Sequence, residues 1–332
     1  MSLISSDPIN KCDISVAMCT YNGEKYIQQQ LESIRHQSHL PLELIICDDG
    51  STDSTLDIIR RFSLNSPFPI KLHVNERNLG STANFEKAIG LCNGGIIALS
   101  DQDDVWSSTK LECISNKFAD CQEAVLVFTD ATIVDQQLKP LGYTLWESIN
   151  FDQREKAAIS MGLSMKVLLK HNVVTGATLA FKSEYRKHIL PIPKDWVHDA
   201  WLALILSSFA KIDFIDQPLI LYRQHPRQQL GARKPNICEY IKDRLKNKSK
   251  IYMQEYQRFE TAIQRLELLD QTSANKNAKN LDHQRLMHLK LRGTLPGKLM
   301  KRIRPVVHEV LNGQYHKYSN GWVSAIRDVV GW

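Results

Sequence analysis

The sequence predicts an α/β protein: a mostly parallel sheet with helices on both faces over residues 1–232, then a basic, mainly helical stretch over 233–332. Two observations predict it. Apolar, strand-like runs alternate with segments of helical period through the first 135 residues, the pattern of β-α-β units. The polar motifs of those residues stand at the C-terminal ends of these runs, where open parallel sheets bind ligands.

Taken in order, Ile14–Thr20 reads as a strand, and Lys25–Gln37 as a helix with Ile27, Leu31 and Ile34 on one face. Leu42–Cys47 is the second strand, Ser54–Phe62 a helix behind a Ser51 or Asp53 cap, Ile70–Val74 the third strand and Thr82–Leu91 a helix. Gly95–Leu99, Thr109–Phe118 and Ala124–Phe128 read as strand, helix and strand. The middle, 136–232, is less regular: Met165–Leu169 and Ala200–Ser208 look helical, Thr178–Phe181 strand-like. Ile212–Ile215 and Leu219–Tyr222 read as short strands parted by Asp216-Gln217-Pro218. Glu239–Leu269 carries recurrent apolar positions, and Gln271–Asn280 is a polar break read as disordered.

Bulk properties narrow the class. At 332 residues the chain can bury one large core or two modest ones, and 43% hydrophobic with 23% charged residues is an ordinary globular composition. No apolar run approaches the ~20 residues of a membrane span, and Met1 to Asp13 lacks a secretory core, so the sequence reads as cytoplasmic. Seven cysteines without a Cys-x-x-Cys pair suggest neither a disulfide framework nor structural zinc. The net charge of +6 hides an asymmetry: 233–332 hold 20 Lys/Arg against 9 Asp/Glu, and 1–232 hold 22 against 27. A basic tail suits an anionic membrane, a lipid phosphate or nucleic acid, or is simply a solvated helical face. Aromatics are not interleaved with its charges as in a single-strand binding groove, which ranks nucleic acid last, and no nucleic-acid partner is expected.

The most telling stretch is Asp101-Gln102-Asp103-Asp104 after the fourth strand. Three carboxylates in four positions repel unless a cation joins them, and Mg2+ or Mn2+ would be held there by one or two carboxylates and substrate phosphates. A solvated acidic turn capping the next helix reads equally well. Thr20-Tyr21-Asn22-Gly23 offers a hydroxyl, a ring face and an amide to a nucleobase, or is a turn using Asn-Gly. Asp48-Asp49-Gly50-Ser51-Thr52-Asp53 puts a carboxylate in reach of a pyrimidine N–H, or is a turn with a helix cap. Asn78-Leu79-Gly80 with Asn84 follows the third strand, where Gly80 permits close approach to a ligand.

In this order these motifs resemble the family 2 glycosyltransferases of the GT-A fold, most closely the rhamnosyltransferase-type members of bacterial surface polysaccharide synthesis. The resemblance covers residues 14–225, beginning at Ile14-Ser15-Val16-Ala17-Met18-Cys19-Thr20 and including His198-Asp199-Ala200-Trp201 and Tyr222-Arg223-Gln224-His225. It implies a nucleotide-binding half over about 1–135 and an acceptor half over about 136–232. Thr20, Tyr21 and Asp49 would hold the base of a nucleotide-sugar, dTDP-rhamnose or a UDP-hexose, with Asn22, Asp48, Asn78, Gly80, Gln102 and Arg223 around it. Asp101 would meet the ribose region, and Asp103, with Asp101 and His225, would hold Mn2+ or Mg2+ on the diphosphate. His225 also reads as a hydrogen-bonded surface histidine, and Arg223 and Arg227 as solvated arginines. Asp199 is the candidate general base of an inverting transfer; alternatively it caps the following helix, with Trp201 and Leu204 as core. Gly176, His198 and Trp201 are expected on the acceptor side. His198 departs from the acid found beside this Asp in many relatives, and the likeness weakens at Pro226-Arg227-Gln228-Gln229.

The implied acceptor is a glycan or lipid-linked oligosaccharide. Lys298, Lys301, Arg302 and Arg304 precede Val306, Val307, Val310 and Leu311, with Trp322, Val323, Ile326, Val329, Val330 and Trp332 following. That reads as an interfacial element beside anionic lipid, a subdomain packed on the catalytic body, or a dimer contact. Two other readings of the whole chain stay open: a sugar-phosphate nucleotidyltransferase, disfavoured because Thr20-Tyr21-Asn22-Gly23-Glu24 replaces the basic Gly-rich loop of that class, and a non-catalytic nucleotide- or glycan-binding protein.

Overall fold

The computed structural model describes residues 13–225, 248–270 and 283–330. Pro226-Arg227-Gln228-Gln229, the break Gln271–Asn280, the start of Glu239–Leu269, the first twelve residues and Trp332 lie outside them. The chain divides into two compact units: Met1–Gly162 with Val173–Ala232, and Leu163–Asn172 with Arg233–Trp332.

In the first unit, β1 (Ile14–Thr20), β2 (Glu43–Asp48), β3 (Ile70–Val74) and β4 (Ile96–Ser100) pair in parallel in the order β3-β2-β1-β4. The connecting helices are α1 (Ile27–Arg35), α2 (Thr55–Ser63) and α3 (Ser81–Leu91). In α1 the expected stripe Ile27, Leu31 and Ile34 is buried. The short β5 (Val105–Trp106) and α4 (Lys110–Asp120) follow the acid loop.

Beyond β4 the sheet turns mixed. β6 (Ala124–Val134) does not lie next to β4: β8 (Leu179–Lys182) runs between them, antiparallel to both. β7 (Pro140–Thr144) pairs antiparallel with β6. The two short strands expected at 212–222 are one strand, β9 (Lys211–Arg223), parallel to β6. Its register jumps between Ile215 and Pro218, so Asp216-Gln217-Pro218 is a bulge inside a strand, where a proline is tolerated. β9 then pairs antiparallel with β5, Val105 opposite Leu221 and Trp106 opposite Ile220.

Three short helices went unread in the sequence: α5 (Leu145–Ser148), α6 (Gln153–Ser160) and α8 (Arg186–Ile189). α5 and α6 carry explicit caps, a Thr144–Glu147 capping box and Asp152 accepting from the amides of Arg154 and Glu155. Phe128, Trp146, Phe151 and Phe214 pack edge to face beneath them. α9 (His198–Phe209) is apolar around most of its circumference and buried over most of its length. In the second unit lie α7 (Ser164–Leu168) and the helices Lys248–Asp270, His283–Gly293, Leu299–Leu311, Gln314–Tyr318 and Trp322–Val330. No helix among the described residues is long and apolar enough to cross a membrane.

Candidate active site

Parallel pairing brings the ends of β1, β2 and β3 together, and their loops are stitched to one another. Thr20 Oγ1 donates to Asp48 Oδ2 (2.7 Å), and Gly50 N, Ser51 N and Ser51 Oγ also donate to the Asp48 carboxylate (2.6–3.1 Å). Thr20 and Asp48 are buried, and the Asp48 carboxylate organises the loop. Asp49 accepts from Asn75 Nδ2 (2.8 Å), Leu79 N (2.7 Å) and Gly80 N (2.9 Å), binding the third loop to the second. Asn78 Nδ2 donates to the Asp49 carbonyl (3.3 Å), and Gly80, at φ +82°, makes the turn that aims its amide at Asp49. Asn22, at φ +47°, accepts from Thr52 N (2.8 Å).

Tyr21 stays open. The Tyr21 ring is 49% exposed, while its backbone is gripped by Gln102, whose Oε1 accepts from Tyr21 N (2.9 Å) and Nε2 donates to Tyr21 O (3.0 Å). Gln102 therefore positions Tyr21 with its amide. A Cβ on Gly23 would sit 2.2 Å from Gln102 Oε1, so that grip requires glycine there.

The acid loop is held from below. β5 brings the end of β9 alongside it: Arg223 N donates to Asp104 Oδ1 (3.0 Å), and His225 Nε2 lies 2.7 Å from Asp103 Oδ2. The Arg223 guanidinium points inward, donating to the carbonyls of Asp103 (2.7 Å) and Gln136 (2.6 Å) and to Gln29 Oε1 (2.6 Å), above the Tyr26 ring. Arg223 is thus a buried strut. Gln30, with its amide turned so that Nε2 donates to the Asp104 carbonyl (2.7 Å), accepts from Trp106 Nε1 (3.1 Å) and Ser100 Oγ (2.8 Å).

Sequence reasoning missed Lys110. It is fully buried on α4, donates to the Ala177 carbonyl (2.7 Å) and lies 3.6 Å from the centre of the Trp106 ring. Burial pushes its ammonium well below the usual lysine range, against the pull of Asp104 and Asp101. Burial likewise pushes Asp104 well up, with the Asp103 and Asp101 charges adding to it; its Oδ2 is buried without a hydrogen-bond partner. A buried lysine beside a buried carboxyl has no net charge whichever of them holds the proton. Burial raises Asp101 to about 7, and the charges of Asp103 and Asp199 contribute in turn. A lysine in a helical pattern four residues past a tryptophan was the only available signal.

On the other side, Asp199 stands in the first turn of α9. Its Oδ2 accepts from Gly176 N (3.1 Å) and its Oδ1 from Ala200 N (2.5 Å). The helix N-cap is Val197, so the alternative reading of Asp199 as the cap is set aside. His198 stacks on Phe85 at 4.1 Å, 7% exposed, with neither ring nitrogen hydrogen-bonded. Burial keeps its pKa below the ordinary histidine value. A Cβ at Gly176 would lie 2.5 Å from His198 Nε2. Trp201 is wholly buried in the core and donates to the Ile189 carbonyl (2.7 Å).

Asp103 and His225 fit a divalent cation. A carboxylate and an imidazole suit Mn2+, and a pair of protein ligands completed by diphosphate oxygens is the usual way to bind Mg2+. No group of three or more His, Cys, Asp or Glu side chains gathers as a complete cage among the described residues.

The glycosyl transferase family 2 profile matches residues 15–168. The dTDP-rhamnosyl transferase RfbG of Shigella flexneri is 31% identical over 229 residues, which span 65% of this chain and 74% of that protein. The chain belongs to glycosyl transferase family 2. A glycosyltransferase of Nostoc sp. is 28% identical over 218 residues, 64% of this chain and 65% of that protein, a little under two thirds of its length. Among solved structures, TarS 1-349 of S. aureus, crystallised in complex with UDP-GlcNAc, has the same α/β fold at a TM-score of 0.54 and 17% identity, covering 92% of this chain and 89% of that chain. The fold is GT-A, its sheet curled and mixed, with helices at the C-terminus. Family 2 membership sets aside the nucleotidyltransferase reading.

Proposed function

We propose that this family 2 protein is an inverting, metal-dependent glycosyltransferase that moves a sugar from a nucleotide-sugar to a glycan or lipid-linked oligosaccharide in bacterial surface polysaccharide synthesis, at the cytoplasmic side. The observation that carries this reading is geometric: within one compact unit of a family 2 chain, His225 meets Asp103 at 2.7 Å and the Gly176 amide orients Asp199 at 3.1 Å. Residues 1–135 then serve the nucleotide and 136–232 the acceptor. The Tyr21 ring stacks on the base, Asp49 and its loop mates frame it, and Asp101 faces the ribose. Asp103 and His225 hold Mn2+ or Mg2+, which when bound stabilises charge on the leaving diphosphate.

Asp199 takes the proton of an acceptor hydroxyl as that oxygen bonds to the anomeric carbon, and the bond to the diphosphate breaks with its electron pair leaving on phosphate. Gly176 N–H fixes the orientation of Asp199, and attack from the face opposite the diphosphate inverts the anomeric configuration. RfbG's name supports dTDP-rhamnose as donor, and UDP-hexoses are the other class to screen. For Asp103→Ala, calorimetric titration of dTDP and UDP is expected to lose the gain in affinity that Mn2+ gives the wild type. For Asp199→Asn we expect nucleotide binding kept and transfer reduced about 10²–10⁴-fold. Wild-type turnover in Asp199→Asn would remove it as base, and a wild type that neither transfers nor hydrolyses any donor of a nucleotide-sugar panel would make the protein a binding module.

A further inference from the structure

The second unit shows an apolar surface that its own core does not use. In Leu299–Leu311 and Trp322–Val330 the inward side chains are Val306, Val310, Ala325 and Val329, packed with Tyr315 and Leu295. Met300, Ile303, Val307 and Leu311 form a separate exposed stripe along the first helix, at one-turn spacing. Trp322, Ile326 and Val330 repeat it along the second, with Val323 beside them.

The charge around these stripes has one sign. Residues 283–330 contain nine Lys/Arg and two acids. Both acids are turned inward: Asp328 is bound by Arg292 Nε (2.6 Å) and Tyr315 OH (2.8 Å), and Glu309 by His288 Nδ1 (2.7 Å). Lys290, Lys298, Lys301, Arg304 and Lys317 are exposed. By helical spacing Arg304 borders the first stripe on the side away from the core.

We infer that this face docks on an anionic lipid bilayer, the apolar stripes entering the headgroup boundary and the basic side chains reaching lipid phosphates. Apolar side chains flanked by cations, with an exposed tryptophan, are the composition of an interfacial helix. A second copy would bring the same positive face against it and be repelled. An anionic polymer would satisfy the lysines and leave the stripes in water. The inference does not depend on which donor the site takes.

The test is co-sedimentation of the full chain with phosphatidylcholine vesicles, with and without about one third phosphatidylglycerol. The wild type should bind the anionic vesicles, weakly bind the neutral ones, and lose affinity as salt rises. Met300→Ser/Val307→Ser/Leu311→Ser and Lys298→Glu/Lys301→Glu/Arg304→Glu should each reduce partitioning at least about tenfold, with Mn2+-linked nucleotide binding unchanged as the control for folding. A wild type that stays in the supernatant overturns the inference, as does stripe-independent binding. So does a dimer in sedimentation velocity that the serine variant dissolves, or a protein partner lost by that variant without loss of vesicle binding.

Discussion

At the scale of residues, the crowded carboxylates posed the sharpest question, and much of the answer is internal. Asp104 faces Lys110 and the Arg223 amide, Asp103 touches His225, and only Asp101 keeps a raised pKa near neutrality. Lys110 and the inward turn of Arg223 were illegible because the partners are remote in sequence: Arg223 Nη2 meets Gln29, 194 residues away. An arginine at a strand end reads the same whether it points to a ligand or to the interior. The Asp101 shift has a consequence for pH. Its folded pKa of about 7 lies above the unfolded carboxylate value, so the folded state binds more protons between about pH 4 and 7, and stability falls as pH rises through that window. The metal-free protein should therefore melt higher at pH 5.5 than at pH 8, by an Asp101 contribution of roughly 2 kcal/mol, and Asp101→Asn should flatten the curve. An identical pH–melting profile in Asp101→Asn would show that Asp101 is not the group responsible.

At the scale of elements, the parallel half was legible because its strands and helices announce themselves by period, and the expected ends of β1 and β3 match the structure. What escaped were elements defined by pairing. β5 has two residues and no period to detect, yet it places His225 beside Asp103. β9 looked like two strands because Pro218 is ordinarily a strand breaker. The approach of the turn Gly176–Thr178 to α9 depends on one missing Cβ: at Gly176 it would lie 2.5 Å from His198 Nε2, and the imidazole, stacked on Phe85, has no room to retreat. Gly176→Ala should cost about 1–3 kcal/mol and misplace Asp199, lowering kcat more than it changes nucleotide affinity. Thermal melts of Gly176→Ala, His198→Ala and the double variant form the check: a coupling near zero would mean the two positions do not meet.

At the scale of the whole molecule, the charge asymmetry was read directly from composition, and the helical character of the described residues beyond 247 from apolar spacing. The side each helix would bury was not. The sequence grouped Val306 and Val310 with Val307 and Leu311, and the structure divides them between core and surface. A run with apolar residues on two adjoining faces does not say which face finds a partner. The second unit is tied by its own polar centre: Arg292 holds Asp328, Ser319 Oγ (2.7 Å) and Tyr252 OH (2.5 Å). Removing one member of such a buried pair costs about 3–5 kcal/mol. Hydrogen exchange on Arg292→Ala should show protection lost across His283–Gly293 and Trp322–Val330 and kept in β1 to β4; equal loss in the strands would mean the units unfold as one.

The grip of Gln102 on Tyr21 links the acid loop to the loop after β1 by a route independent of any ligand. Gln102 lies between Asp101 and Asp103, so a shift of the acid loop is passed to the peptide that carries the Tyr21 ring. On the proposed reading, occupancy at the acid loop and rigidity of the Tyr21 ring thus form one cooperative quantity. If the Tyr21 ring receives the base as proposed, a nucleotide lacking its phosphates would forfeit more than the phosphate contacts, because that ring would also be less firmly held.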